Sequence, residues 1–342
     1  MKVLLIKLKN IGDTLLLTPT ILGIKQRYPH AHIAVLVRSG TESILLGCPE
    51  LDEVLLSASP EKQKRSQALL GDLKTLRHIR AQQYDFVFEL TDNDRGRWIA
   101  MFSKANCRVA SAYGRPVPWY FKHGFTDFST TNWHMMHRVE KDYRLVSEFL
   151  PLPEQISPLA FDPPSGYDPL VTEEQSYIII HPVTRWRRKS WPTESWVKVG
   201  RYLISLGYRC IISSGPDEYE IGLADEITQA LGDKAVSTRG QRSWGELARL
   251  MRGARLFVGL DTAAMHLAAA CQCPIVALFG PSIEHHWSPW KTPHEIVSPG
   301  GLLHYNYPDF IYDAEKRKME DILAADVIAA CDRMLAKRGG GA

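Results

Sequence analysis

The sequence lacks any run of about 18 apolar residues, the length a membrane-spanning helix requires, so no span is expected. No secretory leader is read at Met1-Lys2-Val3 either, and the expectation is a soluble cytoplasmic protein. Cysteine is scarce: the six residues Cys48, Cys107, Cys210, Cys271, Cys273 and Cys331 are scattered, and most sit in apolar stretches. They read as small buried hydrophobes in a reducing compartment, which argues against a disulfide-framed secreted fold. Only Cys271 and Cys273 are close together. No His or Cys stands at ligand spacing from them, so core packing is expected over metal binding. A dominant charge is missing too. With 41 Lys and Arg against 38 Asp and Glu, the formal net charge of +3 suits an anionic ligand but is too small for a nucleic-acid binder. Finally, no G-x-G-x-x-G follows the first strand and no G-x-x-x-x-G-K-[ST] occurs, which argues against a dehydrogenase and a P-loop enzyme.

What the 342 residues do contain is a strand-helix rhythm stated twice, with enough chain for two α/β domains. The first half reads KVLLI, a helix to Tyr28, HIAVLV, a short helix near residues 41–46, VLL, a helix around 69–79 and YDFVFEL. In KNIGDTLLLTPTI, residues 9–21, the apolar run breaks for Gly12-Asp13, which falls in the tight turn after the first strand. Glycine there permits a sharp turn, and Asp13 would start the helix with its carboxylate toward the ligand edge of the sheet; a plain helix cap is the alternative. Residues 150–176 hold six prolines and little periodicity, the composition of a linker. The rhythm then resumes with YIIIHP, YRCIISSG, LFVGLD and PIVALFGP, each followed by helical sequence, and closes on the amphipathic LAADVIAACDRMLA. The expected fold is two doubly wound, Rossmann-like α/β domains facing a cleft, with ligands at the C-terminal ends of the strands.

Three segments at those strand ends carry chemistry. FVGLDTAAMHLAAA, residues 257–270, runs a strand into Asp261-Thr262 and a helix opening on Ala263 and Ala264, an arrangement that offers bare N–H groups and the positive dipole end to an anion. His266 shares a face with Thr262. HPVTRWRRKSWP, residues 181–192, sets Thr184, Arg185, Arg187, Arg188 and Lys189 between two tryptophans, too many polar groups for all to face one ligand. SSGPDE, residues 213–218, turns at Gly215-Pro216, and Glu218 or Glu220 could meet ribose hydroxyls or simply suit a helix N-terminus. Asp92-Asn93-Asp94 beside Arg95 and Arg97 reads as local salt bridges rather than a metal clamp, and His285-His286 shows no third ligand. Between residues 95 and 144, Arg97, Trp98, Lys104, Arg108, Arg115, Trp119, Lys122, Trp133, His134, His137 and Arg138 interleave cations with rings. That suits a phosphorylated saccharide, or else a solvated face.

Taken in order, GDTLLLTPTILGIKQRYP, HPVTRWRRKSWP, SSGPDEYE, VGLDTAAMHLAAA and LFGPSIEHHWSPW resemble the family 9 glycosyltransferases, the ADP-heptose:lipopolysaccharide heptosyltransferases. The resemblance implies a GT-B fold: an acceptor domain over 1–165, an ADP-sugar domain over 166–320, and a helix over 321–342 packing back toward the first. It implies inverting transfer of L-glycero-D-manno-heptose from ADP-heptose to the phosphorylated inner core of lipopolysaccharide, without metal or added cofactor, at the cytoplasmic face of the inner membrane. By motif position Asp13 is the general base, Lys189 with Thr184 and Arg185 meets the donor phosphates, and Asp261, Thr262, Ala263 and His266 hold heptose and pyrophosphate. Ser243 lines the adenine pocket, Gly215 and Glu220 the ribose side, and Asn10, Gly12, Arg95, Arg97 and Trp119 the acceptor. Position 263 is alanine where some relatives carry glycine, and Lys9-Asn10 stands where an arginine or serine is often seen. Two alternatives remain open: a non-catalytic nucleotide-sugar or saccharide-binding module, and a transferase with another acceptor.

Overall fold

The computed structural model describes residues 1–58, 65–112, 116–171, 176–302 and 309–339. The chain divides into two compact units, Met1–Ala160 and Phe161–Ala342. The first contains β1 (Lys2–Lys7), α1 (Ile11–Leu15), α2 (Thr18–Arg27), β2 (His32–Arg38), β3 (Glu53–Ser57), α3 (Arg65–Gln82) and β4 (Phe86–Glu89). It continues through α4 (Asp94–Phe102), β5 (Cys107–Ser111), α5 (Trp119–Lys122), β6 (Asp127–Ser129) and α6 (Arg138–Ser147). The second contains β7 (Tyr177–His181), α7 (Thr193–Ser205), β8 (Arg209–Ile212), α8 (Glu218–Leu231), β9 (Ala235–Ser237), α9 (Trp244–Gly253) and β10 (Leu256–Leu260). It ends with α10 (Ala263–Ala270), β11 (Ile275–Leu278), α11 (Glu284–Trp287), β12 (His294–Val297), α12 (Asp309–Lys316) and α13 (Ala324–Gly339).

Each unit has one six-stranded parallel sheet, ordered β3-β2-β1-β4-β5-β6 and β12-β11-β10-β7-β8-β9. Counted from the first strand of its own unit, each order reads 3-2-1-4-5-6. The strand order therefore reverses between β1 and β4 in one sheet and between β7 and β10 in the other, the points where open α/β sheets take ligands. Central strands are apolar on both faces because helices cover both: Val3 to Ile6 and Ile178 to Ile180 are fully buried. The expected doubly wound α/β fold is what the chain adopts in both halves.

Two details depart from the sequence reading. The helix expected to run from the first strand to Tyr28 is two helices, because Pro19 has no N–H for the carbonyl of Leu15; the Thr18 hydroxyl donates to that carbonyl instead, at 3.0 Å. Consequently Gly12 and Asp13 lie inside the short helix α1, whose N-cap is Asn10, rather than in the turn before it. The boundary between the two units falls inside the proline-rich stretch read as a linker, where Ile156, Leu159 and Phe161 are nevertheless buried and Asp168 accepts from Arg242 at 2.9 and 3.1 Å. The last helix, α13, is part of the second unit's core, where Val327, Ala330, Cys331 and Met334 cluster with Trp196, Leu203 and the strand residues. Among the described residues no helix is long and apolar enough to cross a membrane. None of the six cysteines is in a disulfide, and Cys48, Cys210, Cys271, Cys273 and Cys331 are buried, as apolar surroundings would have them.

Candidate active site

In the second unit β7 and β10 are hydrogen-bonded neighbours, with His181 opposite Gly259, so the loops that leave them emerge side by side. The loop after β7 folds into a 3-10 turn over Arg187–Lys189, and the loop after β10 is only Asp261-Thr262. Lys189 Nζ lies 2.7 Å from Asp261 Oδ2, an ion pair that spans the switch point. The other cations of the loop go elsewhere: Arg188 stacks on Trp186 at 5.0 Å and Arg187 on Tyr219 at 4.6 Å, while Arg185 is exposed. Thr184 is buried, and its hydroxyl oxygen accepts from the N–H of Trp186 at 3.3 Å. Thr262 is the N-cap residue of α10, with extended backbone, yet its hydroxyl makes no capping bond; Oγ1 is buried and has no hydrogen-bond partner among the described residues. Ala263 opens the helix, and His266, one turn on, is buried with its ring 6.4 Å from Trp287. A helix N-terminus with an idle hydroxyl and small first residues, set beside a lysine, is an anion site in waiting.

The strand ends on the other side of β7 extend this edge. His181 hydrogen-bonds Ser213 Oγ at 2.9 Å, and burial pushes its pKa down to about 4, so the imidazole stays neutral. Ser214 Oγ, next in line, is also buried without a partner among the described residues. Gly215 N–H donates to Glu220 Oε2 at 2.9 Å, and burial holds the Glu220 carboxyl above its usual range. Gly240 has a φ of +65°, and a Cβ built there would lie 2.3 Å from the carbonyl oxygen of Gly215. The loops after β8 and β9 thus touch backbone to backbone, a contact only glycine allows. Ser243 caps α9 in a reciprocal box with Glu246, which ties up its hydroxyl.

In the first unit the same topological position is filled with charge. The loops after β1 and β4 are joined where Leu8 N–H donates to Thr91 Oγ1 at 2.8 Å. Lys7 pairs with Asp142 at 2.5 Å, and Lys141 pairs with Asp92, whose φ of +59° is left-handed. Glu89, wholly buried at the end of β4, accepts from the N–H groups of Thr91 and Asp92; burial and the neighbouring Asp92 push its pKa up to about 7. Burial, then Lys7 and Lys141, hold the Lys9 ammonium below the usual lysine range, against the pull of Asp13 and Asp142. Asp13 is half-buried in α1 within this field. Asn10 accepts a long bond of 3.4 Å from Arg38.

The sequence profile of glycosyltransferase family 9 (heptosyltransferase) matches residues 73–311. The chain belongs to this family of heptosyltransferases. It is 28% identical over 341 residues to lipopolysaccharide heptosyltransferase 3 of Escherichia coli, covering 95% of this chain and 96% of that protein. The crystal structure of a family 9 glycosyltransferase from Veillonella parvula superposes with a TM-score of 0.84 at 21% identity, over 98% of this chain and 97% of that one. The E. coli heptosyltransferase WaaC, solved with ADP, gives 0.78 at 16% identity over 98% and 100%. The fold is therefore that of the GT-B heptosyltransferases.

Within this family 9 chain, not every residue named from sequence stands at a strand-end site. Arg97, expected at the acceptor, is 1% exposed; its guanidinium donates to the carbonyl of Ser111 at 2.8 Å and lies over the Phe121 ring. Arg95 makes two 2.8 Å bonds to Asp72. In the protein alone both side chains are engaged within the first unit. Trp119 is 74% exposed on α5. Arg115 and residues 340–342 lie outside the described residues. Asn93 caps α4 through Gly96 N–H at 2.7 Å, so Asp92-Asn93-Asp94 does local structural work. Among the described residues no cluster of three or more His, Cys, Asp or Glu is placed to hold a metal ion. Sequence reasoning missed His181, Ser214 and Gly240; polar or small residues at the C-terminal ends of strands were the available signal.

Proposed function

We propose that this heptosyltransferase moves L-glycero-D-manno-heptose from ADP-heptose to the phosphorylated inner core of lipopolysaccharide, inverting the anomeric centre. The observation that carries the reading is the Lys189–Asp261 pair beside the open N-terminus of α10. In the resting protein Asp261 holds the lysine charge in place; a bound diphosphate offers Lys189 a stronger partner and frees Asp261 to accept from a sugar hydroxyl. As the bond between the anomeric carbon and the phosphate oxygen breaks, negative charge collects on the diphosphate, where Lys189 and the α10 N–H groups stand ready without reorganising. The Thr262 hydroxyl, idle in the protein alone, gains an acceptor there. On the acceptor side Asp13 takes the proton of the attacking hydroxyl as that oxygen bonds to the anomeric carbon. No step requires a cofactor beyond the donor itself. The acceptor is an amphiphile, so the reading places the protein at the cytoplasmic face of a membrane.

The protein is to be incubated with ADP-heptose and defined truncated core acceptors, with ADP release followed and the product linkage determined by mass and NMR. The expected outcome is acceptor-dependent ADP release and a product of inverted anomeric configuration. Donor binding with no ADP release on any acceptor would leave a binding module instead. Product formed only on another glycan would keep the transferase and change its acceptor.

A further inference from the structure

Large aromatic side chains are normally buried, yet four are exposed together on the first unit: Trp98 at 41%, Phe102 at 43%, Trp119 at 74% and Tyr120 at 38%. They form one continuous ladder across α4 and α5. Trp98 stacks on Phe102 and on Tyr120 with ring centroids 5.7 Å apart in each case, and Trp119 meets Tyr120 edge-on at 5.9 Å. The ladder is fixed from below, because Trp98 also packs at 5.0 Å on Phe121, which is completely buried. Rings held rigidly at the surface have already given up their rotamer freedom, so an occupant gains contact area at little further cost.

The charge around the ladder identifies the occupant. From Arg95 to Thr126 the sequence holds six Lys and Arg and no Asp or Glu; Arg97 is buried and Arg95 is paired with Asp72, so the charge available to the ladder is that of the exposed lysines. Lys104 and Lys122 are exposed immediately beside Phe102 and Trp119, and Arg80, also exposed, donates to the Phe102 carbonyl at 2.6 Å. Tryptophan and tyrosine prefer the headgroup level of a bilayer, where the ring is half in hydrocarbon and its polar tip in water. Lysine beside them completes the chemistry of an interfacial anchor on an anionic leaflet. We propose that the α4–α5 face is a docking surface for an anionic lipid membrane. It deepens the function proposed above, since α4 springs from the loop after β4 and Arg97, in its first turn, reaches the end of β5, so the ladder starts near the ligand edge of the first sheet and runs along α4 away from it. A lipid-linked acceptor would then be presented in the plane from which it is taken.

The test is co-sedimentation of the full chain with vesicles of phosphatidylcholine alone or mixed with phosphatidylglycerol. The wild-type protein should pellet with the anionic vesicles, weaken as salt rises, and stay in solution with phosphatidylcholine alone. Lys104→Glu and Lys122→Glu should each lower the partition coefficient about five-fold or more, and Phe102→Ser and Tyr120→Ser should lower it further while circular dichroism and ADP binding stay unchanged. Pelleting that ignores the phosphatidylglycerol, or variants that pellet like wild type, would overturn the proposal. So would a dimer in sedimentation velocity that Trp119→Ala converts to monomer, because a second copy would then own the face. Vesicle binding and transfer fail separately: a protein that pellets as expected but releases no ADP supports docking and sinks the transferase reading, whereas one that transfers to a soluble acceptor and ignores vesicles sinks docking alone.

Discussion

The two sheets share one strand order and leave the same gap at the same place, but they fill it in opposite ways. At the first switch point Lys7 and Asp142 are paired deep inside, at 4% and 0% side-chain exposure, and Lys141, itself buried, pairs with a more exposed Asp92. At the second, one pair stands nearer solvent than Lys7 and Asp142, Lys189 at 17% and Asp261 at 9%, with the hydroxyl of Thr262 bonding no described residue. A buried pair is held because either ion alone would be stranded, so it cannot trade partners and acts as scaffold. A pair in reach of water can exchange one partner for a ligand at small cost. Repeating an architecture has therefore not repeated its chemistry: the first edge fixes a field around Asp13, and the second keeps a grip available.

The largest effects should come from splitting that division of labour. Asp13→Asn should lower kcat by about 10²- to 10⁴-fold, the contribution of a positioned base, while ADP affinity measured by calorimetry stays near wild type. Lys189→Met should weaken ADP binding and turnover together. If Asp13→Asn loses ADP affinity as strongly as Lys189→Met, the two edges are not doing separate jobs and the contrast fails.

Stability should separate the same pairs in the reverse sense. Lys7→Met strands Asp142, whose Oδ1 already has no partner among the described residues, and should cost about 3–5 kcal/mol in urea unfolding. Lys189→Met leaves Asp261 able to recruit water and should cost no more than about 1 kcal/mol. Equal losses would mean that the second pair is scaffold as well.

How much of this was legible in the sequence follows from burial. The central strands announce themselves because VLLI and YIII are apolar on both faces, and α8 and α9 begin where Asp217 and Ser243 cap them. The outer strands β6, β9 and β12 are short and half-exposed, so they carry no apolar run to notice. Lys189 and Asp261 were each visible as candidates, but 72 residues separate them, and only the pairing of β7 with β10 brings them together. Arg95 and Arg97 show the converse case. A cation in a basic stretch looks available until Asp72 on α3 and the carbonyl ending β5 are seen to claim it.

Acid and base should stress the two units differently. Glu89 has its folded pKa raised from 4.5 to about 7, so the folded first unit holds a proton that the unfolded chain has released; its stability falls as pH rises through that range. His181 has its folded pKa lowered from 6.5 to about 4, so the second unit loses stability as pH falls from 6.5 toward 4. Hydrogen exchange across this window should find the first unit's core protected more strongly at the acid end and the second unit's at the neutral end. Glu89→Gln and His181→Asn should each flatten the response of its own unit; a variant that flattens the other unit instead would refute the assignment.

The smallest contrast sits within the second unit, between two helix starts. α9 is closed by its own capping box, whereas α10 begins at a threonine that caps nothing. Removing the first hydroxyl with Ser243→Ala orphans backbone N–H groups and should cost about 1 kcal/mol of stability. Thr262→Ala removes a hydroxyl that bonds no described residue, so thermal melting should barely move. Its effect belongs to the ligand: if the open end of α10 receives the diphosphate, ADP affinity should fall several-fold in Thr262→Ala and stay constant in Ser243→Ala. The result also decides how Ser243 takes part in nucleotide binding. A capped serine can shape the adenine side through the helix it holds, but its hydroxyl is already committed to Glu246, so a loss of ADP affinity without a loss of stability would require that cap to open.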